Sequence, residues 1–346
     1  MVGILIAHTS HLLSVLVLYH LTLAIFPGKD STRLGLITAL LHVISPAGLF
    51  LSAPFAESSC ALLGFLGCLL FTKSLSINGQ TTLRQDLLVL LSGISFGIAT
   101  TFRSNGILSG LLLLEEAFRV LVGVRDTFQF STVRRLISTG LGGVFVSVGF
   151  LLPQYIAYKE YCMDAENPIV RPWCTKSLPS IYTFVQDHYW YVNTAPSSYH
   201  VVYNCYRNVG LFRYWTLSNL PLFLLATPMM VLMVISGRWA VTYEANKQTA
   251  DDAAVGKTSF KDIMPSQSSR IIRNMGISQL LLALLTATTA HVQIITRISS
   301  AYPVSLWYLA ASSRSGKGGL MKNAMRCMVI YAIVHGGLFS SFLPPA

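Results

Sequence analysis

A chain of 346 residues with 53% hydrophobic and only 11% charged residues is not an ordinary soluble domain, which carries about 25% charge. Its mean hydropathy of +0.56 fits apolar runs near bilayer length. A net charge of +11 would point to nucleic acid in a soluble protein. Here the basic residues lie between apolar runs, which predicts a positive-inside membrane topology and no nucleic-acid partner.

The chain opens on an apolar run with no charge before Lys29. It shows neither the basic leader nor the small-residue cleavage site of a secretory signal. Apolar runs occupy 4–26, 34–51, 56–71, 87–102, 107–116, 136–158, 220–236, 275–295, 299–311 and 327–343. They predict an all-α, polytopic membrane protein, a single membrane domain over 1–346 with roughly 8–10 spanning segments. The run 107–116 is short. It either forms a broken span with 87–102 or continues to about 124 as a span of its own.

If each run crosses once, 18 of the 25 Lys and Arg fall on one side, which becomes cytosolic. The other side receives Arg103, Lys159, Arg171, Lys176, Arg207, Arg213 and Arg297. The polar loop 237–274, with Asp251-Asp252, reads as a flexible cytosolic linker. The longest polar stretch, 159–219, lands on the luminal side. So do the 45–58 segment with Pro46 and Pro54, Arg103-Ser104-Asn105-Gly106, and the 291–297 segment. Four polar constellations on one face predict a luminal site.

Each candidate residue has a plain reading beside the functional one. Glu57 opens an apolar run, where it either caps that helix and meets its dipole or contacts a sugar or a catalytic partner. Arg103 either snorkels to the interface or presents a guanidinium to a lipid-linked phosphate. Ser104 and Asn105 are able to cap the next helix, and Gly106 allows a tight turn. His291, Gln293 and Arg297 are expected to form a polar face at a helix end, with Arg297 a second phosphate ligand. In the central loop Tyr182, Tyr189 and Trp190 offer stacking faces, and Gln186, Asp187 and His188 offer hydrogen bonding or proton transfer. The same aromatics also suit an interfacial belt. Cys60, Cys68 and Cys327 fall in apolar runs and read as small buried hydrophobes. No Walker loop, GxGxxG, HExxH or CxxC motif occurs, so neither a cofactor nor a metal is expected.

In order along the chain, these motifs resemble the GPI mannosyltransferase 2 family. The matching stretches are Ser45-Pro46-Ala47 with 52–58, Phe102 to Gly106, Pro172-Trp173-Cys174, Tyr182 to Trp190 continuing at Asn208-Val209-Gly210, and His291 to Arg297. The resemblance implies a C-type membrane glycosyltransferase of the endoplasmic reticulum. It would move the second mannose, in α-1,6 linkage, from dolichol-phosphate-mannose to the GPI precursor. The partners implied are the lipid-linked donor, the GPI precursor, the ER membrane and a small membrane subunit. A non-catalytic membrane protein, either a carrier of a lipid-linked sugar or a scaffold subunit, is the alternative.

Two departures from that family shape the expectation. The family's base, an Asp after a Trp in an early luminal loop, has no counterpart here, since the chain contains no Trp-Asp pair. The catalytic residue is therefore expected outside this chain, and this chain by itself is expected to be inactive. Sequencing the 5′ transcript decides that point. The family's continuous Tyr-Trp-Asn-Val-Gly motif is also interrupted, because residues 191–207 separate Trp190 from Asn208. An in-frame retained intron would explain them, and a shorter reverse-transcription product would show it. Its removal takes out Cys205 and leaves Cys162 and Cys174 as the candidate disulfide.

Overall fold

The computed structural model describes residues 2–75, 82–126, 129–159, 212, 214–243, 267–313 and 318–341. Among the described residues there are helices and short turns and no strand. The helices are α1 (Val2–Ile25), α2 (Ser31–Val43), α3 (Gly48–Ser52), α4 (Glu57–Ser74), α5 (Leu83–Phe102) and α6 (Leu111–Asp126). Then come α7 (Phe130–Tyr158), α8 (Leu220–Val241), α9 (Gln267–Thr289), α10 (Ile295–Ile298), α11 (Val304–Ser312) and α12 (Gly318–Ser341). Five of them, α1, α5, α7, α8 with its leading turn and α9, are long and apolar enough to cross a bilayer. The protein is an all-α, multi-pass membrane protein.

Each of the ten apolar runs contains a helix, but the boundaries moved for physical reasons. The run 34–51 breaks after α2, at Ser45-Pro46, because proline has no N–H and its ring obstructs the preceding turn. The run 107–116 does not join α5; a 3-10 turn over Ser104–Gly110 leads into a separate α6 that ends at Asp126. Helix α9 starts at Gln267, well before the apolar run at 275. Its polar residues are paired inside the bundle: Gln279 donates through Nε2 to the Met233 carbonyl at 2.8 Å and to Ser236 Oγ at 2.7 Å. Helices α8 and α9 also take up both ends of the expected linker 237–274, whose residues 244–266 lie outside those described.

The bundle is held by apolar packing punctuated with buried hydrogen bonds. Trp307 of α11 is fully buried, and its indole N–H donates to Thr22 of α1 at 3.0 Å. Helices α5 and α7 run parallel and touch backbone to backbone. A Cβ on Gly93 would lie 2.2 Å from the Gly142 Cα, and one on Gly149 would lie 2.1 Å from the Gly97 carbonyl oxygen. Small residues let membrane helices approach this closely. Gly149→Leu is therefore expected to lower stability by about 1–3 kcal/mol through overpacking. Gly143→Leu, whose Cβ meets nothing within 4 Å, should leave it unchanged. Thermal unfolding in detergent measures both, and equal midpoints would contradict the close approach.

Candidate functional site

Three helix ends converge on one carboxylate. Helix α4 begins at Glu57, after the chain has turned at Pro54. Helix α5 ends at Phe102, and Arg103 follows in extended backbone. Beyond α9 the chain breaks into short pieces and Arg297 sits on α10. The Arg103 Nη1 donates to Glu57 Oε1 at 2.5 Å. The Arg297 Nε and Nη2 both reach that same oxygen at 2.6 Å. The Glu57 side chain is wholly buried, Arg297 is nearly so, and Arg103 is 17% exposed. Phe50 and Phe55 flank the Arg297 guanidinium, with ring centroids 4.4 and 4.7 Å away. Such a cation–π pair shields a charge that the low-dielectric interior would otherwise penalise.

Two guanidiniums share one carboxylate oxygen. Among the described residues of this face, Glu57 is the only carboxylate. Buried polar atoms are normally hydrogen-bonded, yet four on the segments that carry these residues have no partner among the described residues: Glu57 Oε2, Ser58 Oγ, Asn105 Nδ2 and Gln293 Oε1. Together they offer both donors and acceptors, as a hydroxyl-rich, anionic ligand requires.

The structure joins three of the residues singled out in the sequence, Glu57, Arg103 and Arg297. Arg103 neither snorkels nor stands ready as a lone phosphate ligand; it is tied to Glu57. Ala56, not Glu57, is the N-cap residue of α4. Asn105 makes no side-chain cap, and the Tyr302 hydroxyl donates to its backbone carbonyl at 2.9 Å. Gly106 is not used for a left-handed turn. It is needed because a Cβ there would lie 2.8 Å from the Thr100 amide nitrogen.

The polar helix-end face expected for His291, Gln293 and Arg297 does not form. Helix α9 stops at Thr289, Gln293 lies in a 3-10 turn, and Arg297 is on α10. In its last two turns the Thr286, Thr288 and Thr289 hydroxyls all bond back to carbonyls four residues earlier, which slightly destabilises the helix there. His291 packs instead against Tyr214, ring centroids 4.7 Å apart. Trp215 donates its indole N–H to the Ala287 carbonyl at 2.8 Å. The end of the central loop is thus docked on the end of α9. Gln186, Asp187, His188, Trp190, Cys162, Cys174 and the 191–207 segment lie outside the described residues. Cys60 and Cys68 are buried, but Cys327 is exposed.

The sequence reading singled out the 45–58 segment but gave no role to Phe50 or Phe55, and none to His335, whose rings pack at the same cluster. All three stand in or beside apolar runs, where aromatic residues attract no notice. Among the described residues, no group of His, Cys, Asp and Glu is arranged to hold a metal.

Fold and site define a class: a polytopic helical membrane protein with one buried carboxylate holding two guanidiniums at one end of its bundle. The profile of the Mannosyltransferase (PIG-V) family matches residues 1–195 and 192–346. The chain belongs to that family. It is 47% identical to the GPI mannosyltransferase 2 of Chaetomium globosum, over 99% of this chain and 70% of that protein. It is 38% identical to the Gibberella zeae protein of the same name, over 100% of this chain and 74% of the relative. The corresponding Aspergillus oryzae protein is 40% identical, over 99% and 73%.

Proposed function

We propose that this chain is part of an enzyme that transfers the second mannose of GPI-anchor assembly, in α-1,6 linkage, from dolichol-phosphate-mannose to the GPI precursor at the luminal face of the ER, the family's Trp-Asp base having no counterpart among its residues. The observation that carries this reading is the pair of arginines that Glu57 fixes through one oxygen, with two aromatic rings against Arg297. In the transfer, the acceptor 6-hydroxyl attacks the mannose anomeric carbon as the bond to the phosphate oxygen breaks. A β-linked donor then gives an α product by inversion. Charge grows on the departing dolichyl phosphate, and preorganised guanidiniums act where charge develops. Arg297 and Arg103 take that role. The aromatic pair around Arg297 and the shared carboxylate hold the guanidiniums in place before the donor arrives. The hydroxyl proton goes to a carboxylate base that we do not assign to Glu57, whose Oε1 already receives both arginines.

Cells lacking the second GPI mannosyltransferase provide the test. The gene should restore a precursor with two mannoses, the outer one released by an α-1,6-specific mannosidase. The Arg297→Ala form should lower transfer by about 10²–10³-fold, the usual effect of losing one preorganised charge stabiliser. Full transfer by Arg297→Ala would remove the arginine from the mechanism. No transfer by the unaltered gene would favour a non-catalytic carrier or scaffold.

A further inference from the structure

Arg103 stands where the chain leaves α5 in extended backbone and enters the 3-10 turn Ser104–Gly110. Its guanidinium is tied to Glu57, but a long side chain presents its head accurately only when its main chain is held as well. The main chain of this turn is held from across the bundle. Two positions after Arg103, the Asn105 carbonyl accepts the hydroxyl of Tyr302 at 2.9 Å, a residue 197 positions away.

Tyr302 is itself firmly seated. It is 6% exposed and shares an apolar cluster with Ile294, Ile295 and Ile298. Its amide donates to the Ser299 carbonyl at 2.9 Å, and Pro303 after it is the N-cap residue of α11. The residue before it rests on α4, since a Cβ on Gly64 would lie 4.0 Å from the Ala301 carbonyl oxygen. Helix α4 thus carries Glu57 at its head and, about two turns further on, supports the base of Tyr302. The head and the main chain of Arg103 are both referred to one helix. A second side chain reaches the same turn less decisively. Ser278 Oγ of α9 lies 2.9 Å from the Leu108 carbonyl and 3.0 Å from the Asn274 carbonyl of its own helix. Its single proton is shared between them, and Leu108 stands five positions from Arg103. Ser278 therefore ties the far end of the turn weakly, while Tyr302 ties the end that carries the arginine.

We infer that Tyr302 is a positioning residue for the transfer: its hydroxyl, through the Asn105 carbonyl, sets where Arg103 presents its guanidinium. The inference rests on the role proposed for Arg103 and adds what holds that residue in register. A misplacement of about 1 Å is enough to lower a rate about 10²-fold, so one bond at the main chain has a long reach.

Membranes of cells lacking the second GPI mannosyltransferase, carrying the gene or its variants, supply the test, with radiolabelled dolichol-phosphate-mannose as donor. Tyr302→Phe keeps the ring in its apolar packing and removes only the hydroxyl. Per folded molecule it should lower kcat about tenfold, the worth of about one hydrogen bond at the transition state, with donor KM unchanged. Ser278→Ala should leave kcat within about twofold of wild type, because its bond is already shared. In the Arg103→Ala background Tyr302→Phe should bring no further loss, since the residue it acts through is gone. Equal losses with and without Arg103, an equal loss in Ser278→Ala, or an unchanged kcat in Tyr302→Phe would overturn the assignment. Hydrogen exchange on the purified full chain gives a readout that needs no transfer. Tyr302→Phe should speed exchange over 103–110 about tenfold and leave 83–99 unchanged. Unchanged exchange over 103–110 would mean that the hydroxyl holds nothing there, and it too overturns the assignment. Faster exchange in a protein whose unaltered form transfers no mannose supports the tie and counts against the enzymatic reading. Transfer by the unaltered gene that Tyr302→Phe leaves intact does the reverse.

Discussion

Glu57→Ala is expected to lose more stability than any other single change at the site. The substitution takes from a buried guanidinium, Arg297, and a partly exposed one, Arg103, the carboxylate they share. Breaking a buried ion pair from one side costs about 3–5 kcal/mol. Because Arg103 is 17% exposed and able to turn toward water, the lower end of that range applies. If Glu57 served only the dipole of α4, the loss would be about 0.3–1 kcal/mol, so the two readings are well separated. Glu57→Gln keeps an acceptor oxygen and the volume but not the charge, and should fall between wild type and Glu57→Ala. Thermal unfolding midpoints in detergent give the order. An added isoprenyl phosphate should raise the Glu57→Ala midpoint more than the wild-type one, since it supplies the missing negative charge. A Glu57→Ala protein within about 1 kcal/mol of wild type would return the residue to the role of a dipole partner.

The helices were legible because lipid imposes one rule: a spanning segment must satisfy its own backbone and be apolar outside. Composition alone reveals that, and all ten runs contain helices. The residues of the cluster were also legible one by one. A carboxylate at the head of an apolar run and arginines in short polar breaks are costly, so each invites a partner. What the sequence could not supply was the pairing. Glu57 and Arg297 stand 240 positions apart, and nothing local says that one answers the other. Arg103 and Arg297 were read as two separate phosphate ligands, whereas the fold ties both to one oxygen. Phe50 and Phe55 were invisible for a different reason: in an apolar run an aromatic that holds a cation looks like any other. The polar start of α9 shows the converse error. Residues that looked like loop, among them Ser269 and Asn274, are helical and buried in the bundle.

The same blindness hid a second ionic cluster, at the other end of the bundle, and it carries the second large prediction. Glu116 of α6 is 1% exposed and takes up three arginines. Arg135 of α7, equally buried, donates to it through Nε at 3.1 Å, with Nη2 3.1 Å from the same oxygen. Arg135 also donates to the Gln85 carbonyl and to Ser74 Oγ, each at 3.2 Å, tying α7 to the start of α5 and the end of α4. Arg270 of α9 bridges Glu116 at 3.3 Å and Glu115 at 2.8 Å, and Arg134 pairs with Asp86. Ser74 and Glu57 are the two ends of α4, so at 1.5 Å per residue the clusters lie about 26 Å apart. Glu116→Ala should therefore cost about 3–5 kcal/mol, because Arg135 is left buried with only a distant carboxylate, Asp86 at 4.0 Å. Arg119, half exposed, is able to turn to water and adds little. Glu116→Leu combined with Arg135→Met should recover most of the loss, since an apolar pair of similar volume often matches a buried ion pair. The double-mutant cycle then gives a coupling of about 2–3 kcal/mol. Transfer per folded molecule, with KM for the donor, should stay at the wild-type value in the double variant, in contrast to any change at Glu57. Additive losses, or a donor KM that shifts with Glu116, would mean that the distant cluster does more than hold five helices in register.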